Sequence, residues 1–158
     1  MNITKIEQVS SVEKKSDICD KILRKLPDWF GNEKAITDYT ADVQNMPFYA
    51  AYDGETAIGF VALKEHNPFT SEVCVMGILN EYHRHGIGHQ LIKACVTHCK
   101  TEYKKFLTVK TLDSSAEYEP YDRTRNFYSA MGFIPLEMFP LHWDKDNPCL
   151  FLAKYIDV

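Results

Sequence analysis

The stretch Glu81-Tyr82-His83-Arg84-His85-Gly86-Ile87-Gly88-His89-Gln90-Leu91 places two glycines, two apart, between an apolar run and the start of an amphipathic pattern. The chemistry offered by that spacing is anion binding. A glycine-rich connection that opens a helix leaves backbone N–H groups unpaired at the positive end of the helix dipole, and such a place binds phosphate. A lone Gly-x-Gly also serves as a plain strand-to-helix turn, so context has to decide. A dinucleotide fold would want a third glycine at position 91, which is Leu, and an acidic residue about 20 positions on. A Walker loop would want Gly-Lys-Ser/Thr, which is absent. His83, His85 and His89 stand at metal-like spacings. A metal would compete for the turn that phosphates need, so no metal is expected; Arg84 and the histidines are expected to line a polar turn.

Regular elements must position this turn. Val73-Cys74-Val75-Met76-Gly77-Ile78-Leu79 reads as a buried strand running into it, and Ile87, Leu91, Ile92, Cys95, Val96 and Cys99 form a helical stripe leaving it. Upstream, residues 2–9 read as a first strand. Ser10-Ser11-Val12-Glu13 fits a Ser-x-x-Glu capping box for a helix that Pro27 ends, and Asn32 caps a second helix stopped before Pro47. Phe48–Tyr52 and Ala57–Leu63 flank Asp53-Gly54 as a hairpin. Phe106–Leu112 is a further strand. Pro120 opens a short helix closed by Gly132, and two runs near 134–139 and 149–156 finish as strands. The order is β, α, α, β, β, β, α, β, α, β, β, with no internal repeat, low-complexity tract or linker.

A chain of 158 residues with 45% hydrophobic and 25% charged content is expected to form one globular domain spanning 1–158. No apolar run is long enough to span a bilayer, and Met1-Asn2-Ile3-Thr4-Lys5 lacks the apolar core of a signal peptide, so a cytoplasmic protein without membrane association is expected. Five cysteines, an odd number lying in apolar patterns, read as reduced core residues. The net charge of −4 argues against nucleic acid as a partner and suits a cationic one.

His83-Arg84-His85-Gly86-Ile87-Gly88 resembles the acetyl-CoA signature of the GNAT superfamily of N-acetyltransferases, Arg/Gln-x-x-Gly-x-Gly/Ala, with His83 standing where the family has Arg or Gln. Forty residues beyond Gly88, Arg125-Asn126-Phe127-Tyr128-Ser129-Ala130-Met131-Gly132-Phe133 resembles the family's Phe/Leu-Tyr-x-x-x-Gly-Phe. Position 121 is Tyr where many relatives carry Asn. The element order is similar to that fold over nearly the whole chain. The resemblance implies an α/β (α+β) GNAT fold: a mixed, mostly antiparallel sheet of about seven strands, flanked by about four helices. Its fourth and fifth strands, Val73–Leu79 and Phe106–Leu112, would splay apart around the pantetheine arm.

The same resemblance implies an acetyltransferase with acetyl-CoA as cosubstrate and a primary amine of a small molecule as acceptor, attacked directly in a ternary complex. A homodimer is left open. A peptide or protein acetyltransferase and a non-catalytic acyl-CoA-binding module are the alternatives. The cofactor would lie against Ile78, Leu79, Arg84, His85, Gly86, Ile87, Gly88, His89 and Tyr128. Glu72 matches the place of the glutamate base of histone-type relatives, with an ordered water as the alternative base and Glu117, Glu119 and Asp122 as runners-up that would otherwise attract a cationic substrate. A base is needed because an alkyl ammonium is neutral in only about one molecule in 2,500 at pH 7. The Ile78 N–H, beside a bulge at Gly77, would meet the developing oxyanion, and Tyr128 would serve the leaving thiolate. The loops Leu26–Asn32 and Asp113–Asp122 would shape the acceptor site; within the first, Trp29 and Phe30 read more readily as anchors of the loop than as a pocket rim.

Overall fold

Short apolar runs become strands and 3.6-residue patterns become helices in the computed structural model, which describes residues 3–157. Among these residues β1 (Ile3–Gln8) leads to α1 (Val12–Arg24) and α2 (Glu33–Asp42), and then to β2 (Phe48–Asp53), β3 (Thr56–Asn67) and β4 (Thr70–Ile78). There follow α3 (Ile87–Thr101), β5 (Phe106–Leu112), α4 (Pro120–Ala130), β6 (Ile134–Asp144) and β7 (Asn147–Tyr155). The order is the expected one. Asn2, assigned to the first strand from sequence, lies outside the described residues.

Local capping fixes the boundaries. Ser11, not Ser10, caps α1: its hydroxyl accepts from the Lys14 N–H and donates to Glu13. Glu13 therefore sits one position too early to reach back to the cap as a capping box requires. Asn32 caps α2 through the Ala35 N–H at 3.1 Å. Pro120 occupies the first turn of α4, where its missing N–H costs nothing, and Gly132 takes the left-handed conformation beyond its end at φ +91°.

The strands form one seven-stranded sheet in the order β1-β2-β3-β4-β5-β7-β6. Every neighbouring pair is antiparallel except β4–β5, which is parallel with α3 as its crossover. α1 covers one face, where Phe48 and Phe60, both fully buried, stack at 5.2 Å. α3 covers the other, so that a Cβ on Gly59 would meet Ile78 and Ile87. Among the described residues, no helix is long and apolar enough to cross a membrane. All five cysteines are free thiols, and Cys19, Cys95, Cys99 and Cys149 are buried. Burial pushes the Cys19 thiol up to about 12 and the Cys74 and Cys99 thiols up to about 11.

Two features of β4 position everything downstream. Its pairing with β5 covers only Thr70–Val73 against Phe106–Val109, after which the strands part. Meanwhile β4 stays paired to β3 as far as Ile78, and β5 to β7 as far as Leu112, so the parting is a gap inside an intact sheet. The second feature is a bulge. Between the pairs Ala62–Val75 and Leu63–Val73, β4 carries one extra residue, Cys74. This corrects the expected bulge at Gly77. Gly77 is small for a different reason: a Cβ there would stand 3.1 Å from Leu26 Cδ1 and 3.2 Å from Ile22 Cγ2, on the inner face of α1.

That contact generates a stability prediction. Gly77→Val drives a branched side chain into α1 and destabilises the fold by about 2 kcal/mol. In thermal denaturation the midpoint falls by roughly 4–8 °C for a chain of this length; an unchanged midpoint would show that α1 does not bear on this glycine.

Candidate active site

The turn after β4 is built from backbone in an uncommon conformation. Arg84 and Gly86 both take left-handed angles, at φ +67° and +77°. Gly86 does so at no steric cost, with open space around it. Arg84 does so at a cost of roughly 1 kcal/mol, the kind of strain held at binding turns. The result is a concave run of amides. From Arg84 to His89, six successive N–H groups donate to no other group among the described residues, and no side chain caps α3. Gly86 closes the first helical bond by accepting from the Gln90 N–H. Six outward donors at a helix N-terminus form an anion cradle of the kind a pyrophosphate fits. Arg84, His85 and His89 are exposed around it, whereas Ile87 is buried in the core.

Gly88 has a role that its spacing alone did not reveal. A Cβ there would lie 2.9 Å from the ring of Phe127, so the glycine lets α4 pack on the first turn of α3. His83 does not join the cradle. Its Nε2 donates to the Ile78 carbonyl at 2.7 Å and its ring lies edge-on to Trp29 at 5.8 Å. It ties the end of β4 to the α1–α2 loop.

The gap between β4 and β5 leads away from the cradle. The Leu79 N–H donates to the Ile58 carbonyl and the Leu79 carbonyl accepts from Tyr82, so both backbone groups of Leu79 are engaged internally. Ladder alternation then turns the N–H groups of Ile78 and Met76 away from β3, into the gap. On the far side, Arg125 of α4 donates to the Leu112 carbonyl at 2.6 Å and pairs with Asp122, which fastens α4 over the end of β5. Thr111 Oγ1, in the parted half of β5, is a buried hydroxyl with no partner among the described residues.

Tyr128 is 6% exposed and sits between the rings of Phe127 at 5.3 Å and Phe133 at 5.4 Å. Its hydroxyl bonds to no described residue. Burial, with smaller contributions from Cys95, Tyr121 and Tyr39, raises the phenol well above its ordinary value and keeps it protonated across neutral pH. Such a group can donate.

The two acceptor-side loops are joined to one another. The Trp29 indole N–H reaches the Pro120 carbonyl and Thr124 Oγ1, both at 3.2 Å. Tyr118 donates to the Asp28 carbonyl at 2.7 Å and Tyr121 to the Trp29 carbonyl at 3.1 Å. Trp29 is thus an anchor, as expected of a loop aromatic, and Tyr121 belongs to this clasp. Of the three substitute carboxylates, Asp122 is paired with Arg125, and Glu119 lies 3.7 Å from Arg123.

Glu72 is 8% exposed at the base of the gap and is not a free carboxylate. Lys110 Nζ donates to both of its oxygens at 3.1 and 3.0 Å, and His66 Nε2 stands 2.6 Å from Oε1. His66 and Lys110 were missed in the sequence, where they stand 6 and 38 positions from Glu72 with no motif around them. Both line a cavity of about 380 Å³, together with Thr70, Thr108, Phe139 and Phe151 among others. Among the described residues, no three His, Cys, Asp or Glu side chains gather to hold a metal.

Comparison with known proteins accords with this geometry. The structure superposes on an acetyltransferase assigned to the GNAT family from Desulfovibrio desulfuricans with a TM-score of 0.82 and 11% identity, over 97% of this chain and 99% of that one. An aminoglycoside 6'-N-acetyltransferase complexed with coenzyme A gives 0.79 at 15% identity, covering 98% of each chain. The ribosomal-protein-S18-alanine N-acetyltransferase from Escherichia coli gives 0.74 at 12%, over 98% of this chain and 94% of that one. At these identities the likeness is one of fold. No curated protein sequence matches the chain. The family model of the acetyltransferase (GNAT) domain, however, matches residues 44–135, more than half of the sequence. Because that match runs from just before β2 into β6, and so encloses the parted strands, the amide cradle and Tyr128, the chain belongs to the GNAT family of acetyltransferases.

Proposed function

We propose that this acetyltransferase, whose cosubstrate is acetyl-CoA, delivers the acetyl group to a primary amine of a small molecule by direct attack in a ternary complex. The observation that carries the reading is the alignment of the unpaired amides Arg84–His89 with the gap that begins beyond Val73 and Val109. The amides take the pyrophosphate. The pantetheine arm then follows the gap past the Ile78 N–H, which stands ready for the oxyanion, and Tyr128 hands its proton to the sulfur as the thiolate leaves. Supporting a small acceptor, the clasp of Trp29, Tyr118 and Tyr121 closes the two acceptor-side loops on each other, where an extended peptide would need them apart. The similar structures include enzymes named for aminoglycosides and for a ribosomal protein, so the clasp, not the likeness, favours the small molecule. A screen of amines read by release of free thiol tests it. Turnover of small amines but not of peptides is expected, and the reverse would overturn it.

The cradle has a test that spares the fold. His89 is exposed in the first turn of α3, where a carboxylate favours the helix but opposes a bound pyrophosphate. His89→Glu is therefore expected to keep or raise the thermal midpoint while weakening acetyl-CoA binding about tenfold in calorimetry, the effect of roughly 1.4 kcal/mol. Unchanged affinity would place the pyrophosphate elsewhere.

Tyr128→Phe removes the hydroxyl and leaves the ring between Phe127 and Phe133. A single donor to developing charge contributes about 10²-fold in rate. Single-turnover chemistry should slow by that order with acetyl-CoA affinity little changed, and a chemical rate equal to the parent's would remove Tyr128 from the mechanism.

A further inference from the structure

We propose that His66, held by Glu72, takes the proton from the acceptor amine, with Glu72 as the positioning residue behind it; this rests on the acetyl-transfer reading above. An ammonium acceptor must lose a proton before it can attack, and the obvious carboxylate is shielded. Glu72 is buried, Lys110 Nζ donates to both its oxygens, and His66 Nε2 lies 2.6 Å from Oε1. What a substrate meets is the imidazole, whose side chain is 34% exposed and lines the cavity of about 380 Å³.

The direction of the hydrogen bond decides the chemistry. An ionised carboxylate only accepts, so Nε2 carries the hydrogen and Nδ1 keeps a lone pair. When Nδ1 is protonated, the new imidazolium charge lies against the Glu72 carboxylate, which Lys110 Nζ also contacts, as in an acid–histidine pair of a hydrolytic triad. The charged and titratable groups that face His66 among the described residues are Glu72 from β4, Lys64 opposite Glu72 on β3, Lys110 from β5 and His142 from β6 across the cavity. Glu65, its neighbour on β3, is committed to Lys104.

The cavity lies at the foot of the gap. It follows β5 from Thr108 to Lys110, and Lys110 is the first residue beyond the last β4–β5 pair, Val73–Val109. The register sets His66 seven residues along β3 from Gly59, the partner of Ile78, so the proton of an amine at the thioester reaches His66 through water in the cavity and not by direct contact. The R–NH₃⁺ group gives one proton, relayed by water, to Nδ1. The freed amine forms the N–C bond to the acetyl carbon and the C–S bond breaks. The thiolate takes the Tyr128 proton, the phenolate is restored by the second proton of the former ammonium, and His66 releases its own to water. The products are the amide, CoA thiol and one proton.

Two measurements test this. Long-range nitrogen–hydrogen NMR of the ring reads the neutral tautomer of His66 without any acceptor, and Nε2–H is expected. Kinetics use tyramine, spermidine and kanamycin as probes. His66→Ala is expected to lower kcat/KM about 10²-fold near pH 7. That loss should shrink as pH rises toward the pKa of the amine and be partly restored by added imidazole, with acetyl-CoA affinity intact. His66→Gln should show the same loss, and so guards against a folding defect in one variant. An Nδ1–H tautomer, parent-like rates in both variants, or a loss uniform in pH and unanswered by imidazole would overturn the proposal. If the parent turned over none of the probes, the small-amine reading would fail, and the tautomer would still confirm or refute the Glu72–His66 pair.

Discussion

Two parallel strands that cease to pair halfway along leave donors and acceptors without partners inside a sheet, where each unsatisfied buried group costs about 1–3 kcal/mol. In this molecule β4 and β5 do so after Val73 and Val109, and much of the architecture holds them apart. The bulge at Cys74 bends β4, the Leu79–Ile58 bond keeps its end on β3, and His83 caps the Ile78 carbonyl. Opposite, Arg125 secures the Leu112 carbonyl from above. The gap is therefore a maintained opening, and a ligand that pairs with its walls recovers what the apo sheet forgoes. The Thr111 hydroxyl, on the same parted half of β5, is a buried side-chain group with no partner among the described residues.

The cradle and the tyrosine are mechanically one unit. Phe127 presses on the position of Gly88 where any side chain would collide, and Tyr128 is its immediate neighbour on α4. The contact that seats α4 on the first turn of α3 thereby sets the height of the phenol relative to the unpaired amides of the turn, proposed above as the pyrophosphate site. Substitution at Gly88 cannot report on the amides alone, because it displaces the helix that carries Tyr128.

Much of this was legible in the amino-acid order because glycines and proline mark backbone geometry directly: Gly86 at its left-handed turn, Gly132 past α4, Pro120 at the start of that helix. Asn32 announced its cap, and Ser11 was misread by one residue because two serines precede Val12. The Cys74 bulge was not legible, since an extra residue in a ladder appears only when the partner strand is aligned beside it. The same holds for the carboxylate cluster. Glu72 stood out by its place on the strand, but what decides its behaviour comes from Lys110 and His66 on the flanking strands, and cross-strand partners leave no periodic trace.

The cysteines described with the core bear on how such an enzyme can be handled. Four of them are buried, and burial lifts every one of the five thiols above its ordinary value, so little thiolate exists at neutral pH. Disulfide exchange proceeds through the thiolate, and its rate falls with access as well as with ionisation. A colorimetric disulfide reagent added to the folded protein should accordingly find the liberated CoA thiol far sooner than the chain's own sulfurs. The packing that keeps the core dry thus also gives a low background to the assay by which acetyl acceptors would be sought.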